Sequence, residues 1–262
     1  MKSTRAIKVI TSLSVGVVLL ASLSWIGLGQ VSGRIDRISV FAGLDNRPEK
    51  TSKALNYLLV GSDTREGLTK EEMKALRVGS TKTAAGGRSD TMLLVHISKK
   101  RDKAFLVSLP RDSLVTIPAH LSTDGKTQIP DRENKLNAAF AFGGAPLLIE
   151  TIERATNLKM DHYIEVSFAG FAGIVNALGG IQVCTKVDID DPKSHLVLSA
   201  GTHTLDGIEA LKYVRSRDFD GRGDIGRMQR QQQFMSSVIK KATSSGVLLN
   251  PIKLTNFLNA AI

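Results

Sequence analysis

The first pattern along the chain is a long uncharged stretch near its N-terminus. Residues 9–33 carry no charged side chain, and the centre of the stretch, Val15 to Ala21, is strongly apolar. About 20 apolar residues are needed to cross the hydrocarbon core of a bilayer. The stretch therefore predicts a membrane-spanning segment.

The charges that flank this stretch predict its orientation. Lys2, Arg5 and Lys8 precede it, and basic residues beside a membrane segment favour the cytoplasmic side. A cleaved signal peptide is the alternative, but no clear small-x-small cleavage site follows the apolar run. We therefore expect a cytoplasmic N-terminus at 1–8, an uncleaved membrane anchor at 9–33, a juxtamembrane linker at 34–53 and an extracytoplasmic domain at 54–262.

Within residues 54–262, short apolar runs typical of strands alternate with segments of helical spacing. The predicted strands cover 54–60, 91–97, 104–109, 162–168 and 181–187, and the second and third flank a charged turn in the pattern of an antiparallel hairpin. Helices are predicted at 70–76, 136–155 and 168–178, with a break at Gly143, Gly144 and Pro146. This alternation favours a layered α/β domain.

Polar motifs follow or precede three of the predicted strands. The start of the first hairpin strand and the end of the second share one sheet edge, so Arg88 and Asp90 are expected close to Arg111 and Asp112. Asp63 joins them if the first strand runs parallel to residues 104–109. Strands also end in polar loops for no functional reason, and for any single motif that interpretation stays open.

An arginine-rich segment begins at residue 213. Arg215 and Arg217 are two residues apart, so on a strand they would project from one face. After a glycine-rich turn, Asp224 can cap a helix through its carboxylate. Arginine guanidinium groups match phosphate oxygens, and a helix N-terminus adds backbone donors. A phosphate could therefore be held between the two elements.

The helix predicted after Asp224 carries more polar side chains at helical spacing. Arg227, Arg230, Gln231 and Phe234 are three and four residues apart and share one face. Asp218, Asp220 and Asp224 interleave with the arginines, however, so a surface salt-bridge network explains the same pattern. The segment by itself leaves both interpretations open.

Composition limits the partner and the kind of site. The chain has 35 Lys and Arg against 25 Asp and Glu, a net charge of +10, which favours an anionic partner such as nucleic acid, a phosphate ligand or an acidic membrane surface. Cys184 is the only cysteine and the five histidines lack ligand spacing, so any bound metal is expected to have oxygen ligands. Neither a GxSxG elbow nor a phosphate loop is present.

Five ordered motifs make the chain resemble the LytR-CpsA-Psr family. They are NYLLVGSDTR at 56–65, GRSDTM at 87–92, SLPRD at 108–112, KLNAAFAFGG at 135–144, and YVRSR at 213–217 followed by GDIGRMQRQQ at 223–232. The resemblance covers Leu55 to about Lys241. It implies transfer of a glycopolymer from a polyprenyl-diphosphate carrier to peptidoglycan outside the cytoplasmic membrane. It also implies an αβα sandwich around a mixed central sheet, with a hydrophobic pocket for the prenyl chain.

The resemblance also implies roles for individual residues. Asp63 and Asp90 are similar to the carboxylates that hold Mg²⁺ beside the diphosphate. Asp224 resembles a site carboxylate that orients arginines. The phosphate-binding and catalytic set would then be Arg88, Arg111, Arg215, Arg217, Arg227 and Gln231, with Asp224. Cys184 resembles a residue that forms a disulfide in some relatives, but its counterpart region, residues 200–205, has no cysteine.

Two other functions remain open at this point. Water in place of the acceptor would make the protein a polyprenyl-diphosphate hydrolase, and a protein without chemistry would be a membrane-anchored regulator that binds a polyanion. Nucleic acid is not expected as a partner, because the interleaved aspartates would repel a phosphate backbone. The apolar, helix-like end of the chain leads us to expect that relatives continue beyond Ile262.

Overall fold

The computed structural model describes residues 38–64, 67–76, 89–217 and 219–244. The predicted membrane anchor at 9–33 lies outside these residues. No helix within the described ranges has both the length and the apolar character needed to cross a membrane.

Strands and helices alternate along the described residues. The strands are β1 (Leu55–Ser62), β2 (Ser89–Ile97), β3 (Ala104–Ser108), β4 (Leu114–Ile117), β5 (His120–Leu121), β6 (Gln128–Ile129), β7 (Arg132–Lys135), β8 (His162–Val166), β9 (Ile181–Thr185), β10 (Ile189–Asp191), β11 (Leu196–Leu198) and β12 (Gly201–Leu205). The helices are α1 (Lys70–Ala75), α2 (Leu136–Thr156), α3 (Phe168–Ala177), α4 (Gly207–Arg215) and α5 (Gly223–Ser244). The strands and helices predicted from hydrophobic spacing are confirmed as β1, β2, β3, β8, β9, α1, α2 and α3.

A mixed sheet forms the centre of the fold. Its strand order is β3-β2-β1-β8, with β1 antiparallel to β2 and parallel to β8. Because β2 is also antiparallel to β3, β1 and β3 run in the same direction. The end of β1, the start of β2 and the end of β3 therefore meet at one edge, as the motif positions predicted.

One face of this sheet packs against α2. Leu58 and Val60 of β1 are fully buried there, together with Leu148 and Ile149 of the helix. The helix is interrupted at Gly143 and Gly144, whose backbone angles are not helical, and this confirms the predicted break. The opposite face of the sheet, with Leu59 and its register partner Leu93, is turned toward α3, α4 and α5.

Arg215 and Arg217 do not lie on a strand, the case in which their spacing would place them on one face. Arg215 is the last residue of α4 and Arg217 follows the helix in an extended loop. A capping box starts the helix, in which the Asp206 carboxylate accepts from the Glu209 amide and the Glu209 carboxylate from the Asp206 amide. Two capped ends and a buried stripe at helical spacing fix a helix here, despite the two-residue spacing of the arginines.

Residues 38–54 contain no helix or strand. Val40 is nevertheless buried in the core beside α2, and Arg47 Nη2 lies 2.6 Å from Oε1 of the buried Glu153. Part of the segment predicted as a linker therefore packs onto the domain. Elsewhere, Cys184 of β9 pairs in register with Thr202 of β12, within the region where the resemblance implies a second cysteine in some relatives.

Candidate functional site

A cavity of about 590 Å³ separates the second face of the central sheet from α3, α4 and α5. Its volume is within the range of small-molecule binding sites. The walls are mainly apolar and include Leu59, Leu93, Ile164, Val166, Phe171, Ile174, Val175, Leu211, Val214, Phe234, Met235 and Val238. An apolar ligand would be stabilised here by removal of its surface from water.

Charged and polar side chains line the same cavity where the strand ends meet. The charged and amide side chains among them are Asp63, Arg111, Lys193, Arg215, Arg217, Arg227 and Gln231. They come from five separate stretches of chain, and all but Lys193 were predicted from the sequence as site residues. The cavity thus combines an apolar wall with a cluster of polar side chains, most of which are basic.

Two of the predicted residues are described only in part or not at all. Arg88 lies outside the described residues, and for Asp90 only the backbone is described. Gly61 pairs with Thr91 while Ser62 pairs with Ser89, so Asp90 is the extra residue of a β-bulge. Bulges of this kind occur next to active sites, where they change the direction of a side chain.

Asp224 lies among three of the arginines. Its Oδ2 is 3.1 Å from Arg227 Nη2 and 3.4 Å from Arg111 Nε, and its Oδ1 is 4.0 Å from Arg217 Nη1. Helix α5 begins at Gly223, so Asp224 is in the first turn and not at the cap position that the sequence suggested. One carboxylate therefore lies close to three guanidinium groups. These four side chains together carry a net positive charge.

Gln231 and Arg215 are fixed by contacts around the cavity. Gln231 Nε2 donates to Thr91 Oγ1 at 2.9 Å and to the Val214 carbonyl at 3.1 Å, which ties α5 to β2 and α4. Arg215 Cζ lies 5.1 Å from the centre of the Phe168 ring, a cation–π contact. Both N–H groups of Gln231 are used within the protein in this arrangement, so its predicted phosphate contact remains a prediction.

Arg230 shares the helical face but not the cavity. Its Nη1 is 2.7 Å from Asp220 Oδ2, its Nη2 donates to the Ser216 carbonyl, and its Cζ lies 4.5 Å over the Phe219 ring. Burial raises the pKa of Asp220, but hydrogen bonds from the Arg222 amide and from Arg230 outweigh it and lower that pKa overall. The salt-bridge interpretation of this segment therefore holds for Arg230 and Asp220. Arg227, by contrast, lines the cavity.

Asp112 is a poor proton acceptor. A hydrogen bond from Lys135, whose Nζ is 2.7 Å from its carboxylate, lowers the pKa of Asp112, and Arg111 lowers it further. A base with a lowered pKa removes a hydroxyl proton less readily.

The residues at the strand ends fit a magnesium ion in their chemistry. Asp63 lines the cavity, and the backbone of Asp90 lies on the adjacent strand at the bulge. Mg²⁺ prefers oxygen ligands and is typically held by one or two carboxylates with phosphate oxygens and water. Within the described ranges, no three His, Cys, Asp or Glu side chains form a group that could hold a metal by themselves. Phosphate oxygens and water would supply the other ligands.

Two cavity residues, Lys193 and Ser194, were not predicted from the sequence. They lie in the turn between β10 and β11 and line the cavity beside Arg217. A lysine and a serine after a proline are typical of an exposed turn, and no spacing in the sequence connects them with residues 213–231. Only the folded chain brings these segments together.

Comparisons with known proteins agree with this arrangement. The sequence model of the LytR_cpsA_psr family matches residues 33–262. LcpB of Corynebacterium glutamicum, named a probable cell wall biosynthesis protein, is 39% identical over 207 residues, which cover 79% of this chain and 46% of LcpB. TagT of Bacillus subtilis, named a polyisoprenyl-teichoic acid–peptidoglycan teichoic acid transferase, is 36% identical over 197 residues, covering 73% of this chain and 53% of TagT.

Solved structures of TagT have the same fold. The crystal structure of the B. subtilis protein gives a TM-score of 0.56 at 28% identity, over 82% of this chain and 81% of that one. A structure of TagT with bound octaprenyl pyrophosphate lipid gives 0.51 at 28% identity, over 86% of this chain and 77% of that one. The chain spans about half the length of the curated relatives it matches.

Proposed function

The chain belongs to the LytR-CpsA-Psr family, and from that membership we propose that it is a membrane-anchored phosphotransferase of cell-wall assembly. It takes a glycopolymer with its phosphate from a polyprenyl-diphosphate carrier and transfers it to a peptidoglycan hydroxyl. The product is a phosphodiester bond between the two polymers.

The observation that carries this proposal is the mixed character of the cavity. The same cavity is lined by an apolar wall and by Arg111, Arg217 and Arg227. A polyprenyl diphosphate has the matching chemistry, because its chain is apolar and its head carries two phosphates. TagT, whose fold this chain shares, is described with an octaprenyl pyrophosphate lipid bound.

The arginines supply binding and charge stabilisation. Arg111, Arg217 and Arg227 donate to the non-bridging oxygens of the diphosphate, and guanidinium groups form strong paired bonds with such oxygens. Asp224 holds the three groups in position before the substrate arrives. Phosphoryl transfer depends mainly on positioning and on neutralising charge, so a fixed arginine group lowers its barrier.

The reaction is a displacement at the sugar-linked phosphorus. The acceptor hydroxyl attacks this phosphorus and a P–O bond forms, while the bond to the bridging oxygen breaks and polyprenyl phosphate leaves with its electron pair. The arginines stabilise the negative charge that grows on the leaving phosphate. The candidate acceptors of the hydroxyl proton are Asp63, Asp90 and Asp112. Mg²⁺ bound to Asp63 and Asp90 would make these two poorer bases, as the hydrogen bond from Lys135 does for Asp112.

Magnesium and the membrane belong to the same proposal. Asp63 and Asp90 would hold Mg²⁺, which when bound supplies further neutralisation of the diphosphate charge. The uncharged segment at 9–33 would anchor the domain on the outer side of the cytoplasmic membrane. There the lipid carrier and peptidoglycan are both within reach.

A transfer assay tests the proposal. The full chain in detergent is incubated with a synthetic polyprenyl-diphosphate oligosaccharide, Mg²⁺ and a peptidoglycan fragment, and free polyprenyl phosphate and conjugated acceptor are followed by mass spectrometry. Arg217→Ala is expected to reduce conjugate formation by about a hundredfold or more, with its melting temperature unchanged. Arg154→Ala is the matched control, because it removes an exposed arginine of α2 that pairs with Asp131.

The other outcomes favour different functions. Lipid phosphate released without conjugate would support the hydrolase. Neither turnover nor lipid binding by the folded wild-type protein would contradict the proposal and favour a polyanion-binding regulator.

A further inference from the structure

The end of the central sheet that lies opposite the arginines of the cavity carries an open groove with basic side chains. We call it the basal groove. It is formed where β1 begins and where β2 turns into β3, and its lining residues are Lys50, Thr51, Ser52, Lys53, Leu55, Lys99 and Arg101. From this groove β1 runs to Ser62, which is followed by Asp63. A strand rises about 3.3 Å per residue, so roughly 25 Å separate the basal groove from the polar side chains of the cavity.

Basic residues outnumber acidic ones around the basal groove. Lys50 is paired with Asp161, whereas Lys53 and Lys99 are exposed and have no ion pair among the residues that the structure describes. An exposed cluster of one charge sign attracts a partner of the opposite sign. Seven lysines and arginines against three aspartates and glutamates occur in the segments that meet there, residues 49–53, 98–105 and 157–162.

The segment that follows the proposed anchor is fixed at the same end of the domain. The centre of the Phe41 ring lies 4.5 Å from Cζ of Arg47. The Arg47 guanidinium donates to the buried carboxylate of Glu153 and to the Met160 carbonyl. Met160 comes just before β8, which runs parallel to β1. Phe41 therefore lies at the end of the sheet where β1 and β8 begin, which is the end with the basal groove.

The path from this end of the domain to the bilayer is short. The proposed anchor ends at residue 33, and a fully extended chain from there to Ile38 covers at most about 18 Å. Ile38 is 59% exposed, and Leu158, between α2 and β8, is 43% exposed. Exposed apolar side chains close to lysines and arginines are typical of surfaces that lie in the interfacial region of a bilayer. The anionic partner within reach is therefore the membrane.

We propose that the basal groove binds the anionic phospholipid headgroups of the membrane that holds the anchor. Lys53, Lys99 and Arg101 interact with the lipid phosphates, since basic side chains near an anionic bilayer are attracted to its surface. Leu158 enters the interfacial region on the side of β8. This inference rests on the anchor that the proposed function includes, and it adds a second contact between the domain and the bilayer.

The contact orients the cavity. Its apolar lining residues Leu59 and Ile164 precede Gly61 and Val166 along two parallel strands, so they lie on the side of the basal groove. The prenyl chain of the donor then points toward the bilayer. Its diphosphate, at the arginines, faces away from the membrane.

Quenching by spin-labelled lipids tests this contact. Cys184 is the only cysteine of the chain, so Cys184→Ser with Thr51→Cys places one fluorescent label in the basal groove. Cys184→Ser with Lys135→Cys places the label at the other end, where Lys135 pairs with Asp112. Both full chains are reconstituted into vesicles of phosphatidylcholine and phosphatidylglycerol that contain a lipid with a nitroxide on its headgroup. The label at residue 51 is expected to be quenched, and the label at residue 135 is expected not to be.

Charge variants identify the cause of the quenching. Lys53→Gln with Lys99→Gln is expected to lower the quenching at residue 51 about two- to fivefold, as are vesicles of phosphatidylcholine alone. Lys70→Gln with Lys74→Gln is the matched control, because it removes two exposed lysines of α1, which follows the other end of β1. It is expected to leave the quenching unchanged. Neither pair is expected to alter transfer in detergent, since none of the four lysines lines the cavity.

The contrary outcomes separate this inference from the proposed function. Equal quenching of the two labels would overturn the inference alone, as would quenching at residue 51 that depends on neither the lysines nor the lipid charge. A label at residue 51 that responds to soluble polyphosphate but not to vesicles would also overturn it, because the basal groove would then bind an anionic polymer. A chain that alkaline washing removes from the vesicles would contradict the anchor, and with it both this inference and the membrane part of the proposed function.

Discussion

Asp224 has the most consequential position among single residues, because three arginines of the cavity meet at its carboxylate. Asp224→Asn keeps the size of the side chain and removes its charge. Arg111, Arg217 and Arg227 would then lose the carboxylate that they share and that orients them, so octaprenyl diphosphate affinity is expected to fall about tenfold. The side chain is 38% exposed, and the expected loss of stability is therefore below about 1 kcal/mol.

Asp131→Asn is the control for that change. Asp131 pairs with Arg154 on the surface and does not line the cavity, so the variant removes the same kind of charge from a different site. Titration calorimetry with the lipid measures both variants. If Asp224→Asn bound octaprenyl diphosphate as tightly as wild type, Asp224 would have no part in orienting the arginines.

The pair Asp220 and Arg230 predicts a pH dependence of stability. The folded pKa of Asp220 lies below its ordinary value of 3.8, so its ionised form stabilises the fold above that value and this contribution is lost as the pH falls through the folded pKa. Asp220→Asn is expected to cost about 1–3 kcal/mol at pH 7, and the difference from wild type is expected to shrink below pH 3.8. Urea unfolding of both proteins between pH 7 and pH 2.5 measures this difference in the free energy of unfolding. A difference that stays constant to the lowest pH would contradict a stabilising role for the ionised Asp220.

For single residues, the sequence pattern identified Arg227 and Arg230 but did not show that they have different roles. Arg227 and Arg230 share one face of α5, as their spacing predicted, yet only Arg227 lines the cavity. Arg230 instead forms an ion pair with Asp220 and donates a hydrogen bond to the Ser216 carbonyl. Those partners come from the loop before the helix, and the path of that loop cannot be read from helical spacing.

Among the elements, α3 and α4 form a wall of the cavity and are packed unusually closely. A Cβ atom on Gly207 would lie 2.4 Å from the Ala172 carbonyl oxygen and 2.7 Å from its Cα. Gly207→Ala is therefore expected to push the start of α4 away from α3 and to cost about 1–3 kcal/mol. Thermal or urea unfolding measures the loss.

Gly170→Ala in α3 is the matched control. Its added Cβ would make only an ordinary contact, 3.4 Å from Ser167 Oγ, and alanine has the higher helix propensity. The control is expected to be neutral or slightly stabilising. Equal stability of the two variants would show that the contact between the helices yields more easily than the described geometry implies.

The elements show where sequence patterns succeed and where they fail. The edge that carries Asp63 and Arg111 was predictable, because a hairpin and one parallel strand determine which strand ends meet. The bulge at Asp90 was not, since one extra residue leaves the apolar pattern of β2 unchanged. The two-residue spacing of Arg215 and Arg217 does not distinguish a strand from a helix end, where the two residues lie.

At the scale of the whole molecule, the cavity arises because the two hydrophobic core clusters do not pack directly against each other. One cluster joins the first face of the sheet to α2, and the other joins α3, α4 and α5 to β9, β10, β11 and β12. Between them the second face of the sheet remains the wall of an apolar space. The family resemblance implied a hydrophobic pocket, but the apolar pattern did not show where it lies, because the residues that line it have the same apolar character as residues that fill a core.

The central claim is that a polyprenyl chain occupies this cavity with its diphosphate at the arginines. The most direct test is photocrosslinking of the full chain in detergent with a polyprenyl diphosphate that carries a diazirine within the prenyl chain, followed by mass spectrometry of the labelled peptides. Labelling is expected on Ile174 and Val175 of α3 and on Met235 and Val238 of α5, and excess octaprenyl diphosphate is expected to suppress it. Labelling that resists competition, or that falls on exposed apolar residues such as Phe105 and Val107 of β3, would contradict the account.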